Sequence, residues 1–475
     1  MSNLEKYYIN GEWVLPLSKT TMNVINPANE KNIGKIILAN ELDVNFAVEA
    51  AKSAFPNFSQ TSKEERLELL KKLLDISKKR LPELAKVISL EMGAPITMSL
   101  ELQADAAVGH LEGYIEALIN QVEREKLANG DIQVREPVGI CGLITPWNWP
   151  VNQIALKVLP ALAAGCTCVL KPSEFTPLSS VMYSEMVHEA GFPPGVFNMI
   201  QGDGPIAGAS LSKHPDIGMM SFTGSTQAGS SVSKDAADSI KRVALELGGK
   251  SPNIVFSDCD LEERILGSIE ECYINTGQSC DAPTRLIVER SCYEQVLKIA
   301  KSVGEAVKVG DPLLEGDHLG PLVSEIQYGR VQAMIEKGIK EGATLLVGGL
   351  GKPDGFDKGY WVRPTIFSDA NNKMAIAQEE IFGPVLTIIP FDTEEEAIKI
   401  ANDTPYGLAA YIQSGDLKRA ERIANKLRVG MVHINGGGFN YGSPFGGYKQ
   451  SGNGREGGIL GIEDFQEVKT LHYPE

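Results

Sequence analysis

The strongest constraint on the fold is an alternation of two residue patterns between positions 137 and 249. Short apolar, β-branched runs recur there at near-regular spacing, and stretches with apolar residues at helical spacing separate them. Strand, helix and strand at this spacing form right-handed crossovers, which place successive strands parallel in one sheet. The sequence therefore predicts a doubly wound parallel sheet of the α/β class. The predicted strands are 138–144, 167–171, 196–200, 218–222 and 242–247.

A second alternating region runs from about 251 to 447 and predicts a second α/β unit. A helix is predicted at 416–427, with Gly430 as its C-terminal cap. A chain of 475 residues has room for two or three domains of ordinary size. The predicted strands of this region are 253–256, 285–288, 344–347, 385–389 and 430–434.

Two further patterns precede the first sheet. Asn10-Gly11 lies between aromatic and β-branched residues, a strong signal for a two-residue hairpin. Residues 61–92 have helical periodicity, and Pro82 predicts a break between two helices because proline lacks an amide hydrogen.

Segments 121–135 and 466–472 fit neither α/β unit. Both have the pattern of strands with an unpaired edge, and such edges usually find a partner. They predict a small β oligomerisation flap. The domain prediction is residues 1–120 with 137–249 for cofactor binding, 250–448 for catalysis, and 121–136 with 449–475 for oligomerisation.

The composition of the chain argues against several classes of function. A net charge of −16 without a dense basic block argues against nucleic-acid binding. No apolar run approaches the ~20 residues that a bilayer span needs, so no membrane association is expected. Seven cysteines without paired spacing, and no apolar leader, predict a cytoplasmic protein with free thiols.

Cys280 is the most informative cysteine, in the segment NTGQSC after a predicted helix at 261–273. Most cysteines of such a chain are small buried apolar residues. Glu246, however, ends an apolar strand 34 residues earlier and is followed by Gly248 and Gly249. Poor solvation raises the pKa of a carboxyl group there, which suits a general base near neutral pH.

Two loops complete the candidate site. Asn148, in TPWNWP, can aim its amide at an oxyanion, or it can simply cap the next helix. The segment SFTGSTQAG has the pattern of a dinucleotide-binding loop with Thr226 at the middle glycine position. Gly224 then serves the turn, and Gly229 allows close helix packing.

Over essentially its whole length the chain resembles the aldehyde dehydrogenase superfamily. The resemblance implies NAD-dependent oxidation of an aldehyde to a carboxylic acid, with hydrolysis of a thioester by water. Transfer of the acyl group to coenzyme A, a catalytically silent homologue and a cysteine hydrolase are the alternatives. The matching motifs are INGEWV, ITPWNWP, LKPSE, SFTGST, LELGGKSP, GQSC, EEIFGPV, ANDTPYGLA and SPFGGYKQSGNGRE.

The resemblance also implies roles for individual residues. Cys280 becomes the nucleophile, Glu246 the general base, and Asn148 an oxyanion donor beside the backbone N–H of Cys280. Lys157 and Glu456 match a pair that assists proton transfer, and a homodimer or homotetramer is implied. The implied NAD contacts are Ile144, Trp147, Lys171, Glu174, Gly224, Ser225, Gly229, Leu247, Glu380 and Phe382.

Individual residues bear on the preference for one cofactor and for one class of substrate. A carboxylate at Glu174 binds ribose hydroxyls and repels a 2′-phosphate, so NAD is expected over NADP. Asp281 either faces the aldehyde and favours polar or hydroxylated substrates, or bonds a backbone amide of its loop. His110 and Phe439 are candidates to line the substrate opening. For His110, packing against its own helix surroundings is the commoner role of a helical histidine. No arginine stands beside these candidate pocket residues in the sequence, although loop geometry decides whether one lies near them. No metal site is predicted.

Overall fold

The computed structural model describes residues 3–474. Twenty strands occur in this range, and they form four sheets. In chain order the strands are β1 Tyr7–Ile9, β2 Glu12–Val14, β3 Thr21–Ile25, β4 Asn32–Ile37, β5 Arg124–Lys126, β6 Ile132–Pro137, β7 Ile140–Ile144, β8 Thr167–Lys171, β9 Phe197–Met199, β10 Met219–Thr223, β11 Arg242–Glu246, β12 Pro252–Val255, β13 Arg285–Glu289, β14 Thr344–Val347, β15 Thr365–Ser368, β16 Val385–Phe391, β17 Ala409–Gln413, β18 Met431–Ile434, β19 Gly452–Asn453 and β20 Gln466–Leu471.

The helices of residues 3–474 cover the faces of the two large sheets. None of them is both long and apolar enough to span a bilayer. They are α1 Glu41–Phe58, α2 Lys63–Met92, α3 Ile96–Met98, α4 Asp105–Asn120, α5 Pro150–Ala164, α6 Pro177–Ala190, α7 Ala209–Lys213, α8 Thr226–Ala237, α9 Leu261–Tyr273, α10 Tyr293–Ala306, α11 Glu325–Lys340, α12 Ala375–Gln378, α13 Glu394–Asn402, α14 Leu417–Ala424 and α15 Gly458–Glu463, with π-helical turns at Ser99–Ala104 and Gly204–Gly208 and 3₁₀ turns at Ile274–Gly277, Arg290–Cys292 and Lys449–Ser451.

The first large sheet confirms the predicted doubly wound fold. Its order is β19-β11-β10-β7-β8-β9-β1-β2, and the five central strands are parallel. The chain winds outward from β7 through β8 and β9, then crosses back to β10 and β11. This reversal creates a switch point between the C-terminal ends of β7 and β10, where ligands of open α/β sheets bind.

The N-terminal hairpin is also confirmed. Asn10 and Gly11 both have positive φ angles, as a type I′ turn requires, and they join β1 to β2. This hairpin pairs through β1 with β9 and so extends the first sheet. Strand β19 extends the opposite edge, pairing antiparallel with β11.

The second large sheet has the order β14-β15-β16-β13-β12-β17-β18. It contains all five strands predicted for this region, together with β15 and β17, which the sequence analysis missed. All its pairs are parallel except β14 with β15. Helix α9 has the predicted bounds and leads into the loop that contains Cys280.

The two segments outside these sheets meet each other. Strand β6 lies between β5 and β20, and both neighbours pair with it in antiparallel register. The predicted flap segments therefore form one three-stranded sheet, although they are separated by more than 300 residues in the chain.

Two local predictions were wrong. Helix α2 continues through Pro82. Proline has no amide hydrogen, so the carbonyl of Lys78 loses its helical partner. Pro82 and Lys78 are both exposed, so water can bind this carbonyl instead. Gly430 does not cap a helix, since α14 ends at Ala424. A Cβ at Gly430 would lie 1.6 Å from the carbonyl oxygen of Gly446, so glycine is needed there for a close backbone approach.

Candidate active site

The loop after β7 lies at the switch point and presents Asn148. This residue is buried, and its Nδ2 donates a hydrogen bond to the carbonyl of Gln278 over 3.1 Å. An amide nitrogen carries two hydrogens, so a second donor remains for an oxyanion. The next residue, Trp149, donates from Nε1 to Ser279 Oγ over 2.7 Å. Two consecutive residues of one loop therefore hold the segment just before Cys280.

The loop that leads to Cys280 has an unusual backbone. Asn275 and Thr276 have φ angles of +54° and +59°, a left-handed conformation that is costly for a β-branched residue such as threonine. Side-chain hydrogen bonds offset this strain. Asn275 Nδ2 donates to the carbonyl of Asn148 over 2.7 Å, and Thr276 Oγ1 donates to the carbonyl of Gly320 over 3.1 Å.

Cys280 is half-buried in the turn that follows. Burial raises the pKa of its thiol well above the usual value, and the carboxylates of Asp281, Glu380 and Glu246 raise it further. A Cβ at Gly249 would lie 2.3 Å from the carbonyl oxygen of Cys280, so only glycine permits this contact. The LELGGK segment after β11 therefore packs directly on the nucleophile loop.

Glu246 ends β11 and is almost fully buried. Among the described residues, neither of its carboxylate oxygens has a hydrogen-bond partner. Burial raises its pKa well above the usual value, and Glu456 acts in the same direction, whereas Lys157 and Arg455 lower it. Once ionised, this carboxylate therefore binds a proton more strongly than an ordinary one, as a general base near neutral pH must.

Lys157 and Glu456 form a buried ion pair beside this carboxyl. Lys157 lies on α5 with no exposed surface, and its Nζ is 2.5 Å from Glu456 Oε1. Burial raises the pKa of Glu456, and the nearby ammonium opposes this effect. The pairing that the resemblance implies is thus present, and it lies within electrostatic reach of Glu246.

The LKPSE segment follows β8 on the other side of the switch point. Lys171 is buried, and its Nζ donates to the carbonyls of Pro172 and Gly202 over 2.9 and 2.8 Å. Its ammonium is also 3.7 Å from Glu174 Oε2. The Glu174 side chain is partly exposed, so its carboxylate is open to a ligand.

The predicted phosphate loop joins β10 to α8. Ser225 caps α8, since its side chain accepts a hydrogen bond from the N–H of Ala228. A Cβ at Gly229 would lie 2.6 Å from the side chain of Leu247, so this glycine lets α8 pack closely on the chain after β11. The strand, turn and helix thus have the arrangement of a dinucleotide loop.

Glu380 and Phe382 contact the chain after β11 and the loop after β7, respectively. Glu380 Oε1 accepts from the N–H of Gly249 over 3.0 Å, and burial raises the pKa of Glu380 to about 7. A Cβ at Gly248 would lie 2.3 Å from the same carboxylate. Phe382 packs edge-on against Trp147, with 5.4 Å between ring centroids.

The residues around the switch point fit a dinucleotide such as NAD. The hydroxyls of Thr145 and Thr223, at the ends of β7 and β10, are buried without a hydrogen-bond partner among residues 3–474. Buried hydroxyls usually have partners, so both are candidates for ligand contacts. The start of α8 adds unpaired N–H groups, and Ile144, at the end of β7, adds an apolar wall.

A cavity of about 1040 Å³ opens beside the nucleophile loop, lined in part by Asp281 and Phe439. Burial raises the pKa of Asp281, while its own backbone N–H and the Ser279 side chain lower it. The role of Asp281 in substrate choice stays a prediction. The loop geometry, which the sequence left open, places Arg264 at the cavity. Its guanidinium is already bound to the Asn435 carbonyl and to Glu263.

His110 is a packed helical residue. It is buried, its Nε2 lies 2.7 Å from Asn152 Oδ1, and its ring contacts Tyr441 edge-on with centroids 4.9 Å apart. Burial lowers its pKa to about 4, so the ring is neutral at physiological pH. Its ring centroid lies 6.2 Å from that of Phe439, which lines the cavity.

Sequence reasoning missed Gln103 and Asn275. Both side chains are buried, and both bond to the carbonyl of Asn148. Asn275 begins the NTGQSC segment, but no role followed from that position, and no motif includes Gln103. Their contacts with Asn148 join parts of the chain that are far apart.

Comparison with known proteins agrees with this geometry. The model of the aldehyde dehydrogenase family matches residues 13–471. The 3-succinoylsemialdehyde-pyridine dehydrogenase of a Pseudomonas species is 51% identical over 99% of both chains. A Bartonella henselae aldehyde dehydrogenase structure has a TM-score of 0.97 at 48% identity, covering 99% of both chains. Aldehyde dehydrogenase C of Pseudomonas syringae, solved with NAD+ and octanal, has a TM-score of 0.98 at 46% identity, covering 99% of this chain and 97% of that one. The chain therefore belongs to the aldehyde dehydrogenase family.

Proposed function

We propose that this protein oxidises an aldehyde to the carboxylic acid with NAD and water, through a thioester on Cys280. The observation that carries the proposal is the bond from Asn148 Nδ2 to the carbonyl of Gln278, two residues before the nucleophile. It holds the Asn148 amide against the loop segment that leads to Cys280. Family membership and the NAD+ complex of the Pseudomonas syringae relative support the same reaction.

The chemistry begins at the thiol of Cys280. Its sulfur adds to the aldehyde carbon as its proton passes to solvent water. The resulting alkoxide binds the second Asn148 Nδ2 hydrogen and the backbone N–H of Cys280. Bound NAD would supply the acceptor for the hydride of the thiohemiacetal, and Cys280 would then carry a thioester.

Water then releases the acid. Glu246 takes a proton from the water, whose oxygen attacks the thioester carbonyl, and the sulfur departs as the thiolate. Glu246 suits this role because its oxygens are buried without partners and its raised pKa favours proton uptake. Overall, aldehyde, NAD+ and water give carboxylic acid, NADH and a proton.

The nicotinamide site is proposed to include Glu380, Phe382, Trp147 and Leu247, and the pyrophosphate site Gly224, Ser225 and Gly229. Lys171 and Glu174 would bind the adenosine ribose. A carboxylate at Glu174 would repel a 2′-phosphate, which supports NAD over NADP. Catalytic efficiency measured with each cofactor tests this preference.

Replacing Cys280 with alanine tests the proposal as a whole. We expect activity to fall by about 10³-fold or more, because the covalent route is lost. Mass spectra of the native enzyme with NAD and aldehyde should show an acyl group on Cys280, absent from Cys280→Ala. Full NADH production by Cys280→Ala would overturn the proposal.

Acyl transfer to coenzyme A is the main rival. The buried, unpartnered carboxyl of Glu246 favours water as the acceptor, since transfer to a thiol needs no base at this position. One equivalent of free acid per NADH, formed without coenzyme A, is the expected result. Acid release that required coenzyme A would favour the rival.

For the substrate, we propose a neutral polar or hydroxylated aldehyde. Asp281 and Glu271 both line the cavity, and its Arg264 is neutralised by Glu263. Asp281→Ala should lower the preference for hydroxylated over aliphatic aldehydes of equal length. An unchanged preference would remove Asp281 from substrate choice. The relative named for a pyridine semialdehyde provides a further compound to assay.

The assembly is proposed to be a homodimer or homotetramer that uses the three-stranded sheet of β5, β6 and β20. Among residues 3–474, neither outer strand of this sheet has a partner on its free edge, and Val468 on β20 and Leu460 on the neighbouring α15 are exposed. The division into cofactor, catalytic and oligomerisation parts, and a cytoplasmic location, remain predictions. Sedimentation with and without residues 466–475 tests the assembly.

A further inference from the structure

Gln103 makes contacts that the reaction above does not yet use. It lies in the π-helical turn Ser99–Ala104, between α3 and α4, and its side chain is completely buried. Its Nε2 donates to the carbonyl of Asn148 over 3.0 Å and to Asn275 Oδ1 over 3.2 Å. Single π-helical turns inside helices are frequent at functional sites.

The orientation of these amides is fixed by their partners. A backbone carbonyl can only accept, so the carbonyl of Asn148 must face the nitrogen of Gln103 and the nitrogen of Asn275. The oxygen of Asn275 is then left to accept from Gln103. By the same argument the carbonyl of Gln278 fixes Nδ2 of Asn148 toward the nucleophile loop.

The Asn148 carbonyl therefore receives two side-chain donors, one from the first half of the chain and one from the nucleophile loop. Rotation of the 148–149 peptide would break both bonds in a buried setting, where unpaired polar groups are costly. The side chain of Asn148 is attached to the same residue, so the two hydrogen bonds to its backbone carbonyl also set the direction of its amide.

We propose that Gln103 is a positioning residue that aims the oxyanion-binding amide of Asn148 through the Asn148 backbone carbonyl. This inference rests on the proposed function, because it assumes that Asn148 binds the alkoxide. Gln103 itself does not touch the reacting atoms. Its loss therefore slows the steps that build negative charge on oxygen and leaves NAD binding unchanged.

The test is a double-mutant cycle on the full chain. Gln103→Met removes the donor at nearly constant volume, and we expect the first-turnover burst of NADH to slow about 10-fold, as loss of a positioning hydrogen bond would predict. In an Asn148→Ala background the same substitution should change the burst rate less than about two-fold, because the amide it positions is gone.

Two further variants guard against a general loss of structure. Gln103→Asn keeps a buried amide but is too short to reach the carbonyl, and it must show the same non-additivity. Gln153→Met alters another buried glutamine, on α5, whose side chain has no hydrogen bond to described residues of the site. It should leave the burst rate unchanged. Thermal unfolding and NAD affinity are measured for every variant.

The outcomes separate the two proposals. If Asn148→Ala leaves the burst rate unchanged, the oxyanion role in the proposed function fails. If Asn148→Ala slows the burst but both Gln103 variants do not, only the positioning role fails. Equal slowing by Gln103→Met with and without Asn148 would also overturn it, since the effect would then not pass through Asn148.

Discussion

The two sides of Cys280 are built on opposite principles. On the amide side, Asn148, Asn275 and Gln103 are neutral and linked to one another and to backbone carbonyls. On the base side, Glu246 is ionisable, and both of its oxygens lack a partner among the described residues. The oxyanion donor is fixed in place, whereas the base is surrounded by charges and held by no hydrogen bond.

The difference follows from the two tasks. An oxyanion donor is effective when it already points to where charge develops, so every bond that fixes it helps. A general base must lose and gain a proton, and hydrogen bonds to its charged form would lower its pKa and weaken it as a base. Burial beside Glu456, opposed by Lys157, instead raises the pKa of Glu246.

Among the substitutions that test this difference between the two sides, Glu246→Gln is expected to have the largest effect. Glutamine keeps the shape but cannot take a proton, so we expect steady-state turnover to fall about 10³-fold. The first equivalent of NADH should still appear, because only thioester hydrolysis needs the base. Stopped-flow absorbance and mass spectra of the accumulated acyl-enzyme check this. A lost burst with no acyl-enzyme would contradict the assignment.

Asn148→Ala acts on the other side and should cost about 10² to 10³-fold, or roughly 2.7 to 4 kcal/mol. Here the burst itself should slow, because alkoxide formation comes before hydride loss. The ratio of burst rate to steady-state rate therefore separates the two sides of the site. A slow steady state with a normal burst would move Asn148 out of the oxyanion role.

Lys157→Met tests how nearby charges set the pKa of Glu246. The pKa of Glu246 is raised, so hydrolysis should speed up as rising pH ionises it. Lys157 lowers that pKa, so its removal should move the rise in rate to higher pH. The deacylation rate is measured against pH, with thermal unfolding as a control, since a broken buried ion pair costs about 3 to 5 kcal/mol. A shift to lower pH would contradict this view.

Glu174→Ala is expected to have the smallest effect, because this residue lies in the cofactor site, away from both sides of Cys280. Without the carboxylate, NADP is no longer repelled, and the preference for NAD should fall about 10-fold. The pH dependence of deacylation should not change. A variant with an unaltered cofactor ratio would remove Glu174 from cofactor choice.

Local patterns predicted much of this molecule. The Asn10-Gly11 turn, the bounds of α9 and the strand-turn-helix at Gly224 each depend on neighbouring residues, and all three are present. Pro82 and Gly430 were misinterpreted for the opposite reason. Whether a proline interrupts a helix depends on whether water can reach the carbonyl that loses its amide partner. Glycine is required at position 430 because the backbone of Gly446, 16 residues later, comes too close for a Cβ.

The sequence by itself determined the doubly wound α/β fold and the residue types needed for covalent oxidation of an aldehyde, because periodicity and motif order are local properties. Only the tertiary structure decided how the site is held. The bond from Gln103 to Asn275 joins residues 172 positions apart, and that from Lys157 to Glu456 joins residues 299 apart. Such contacts arise from packing of distant elements, so no spacing along the chain specifies them.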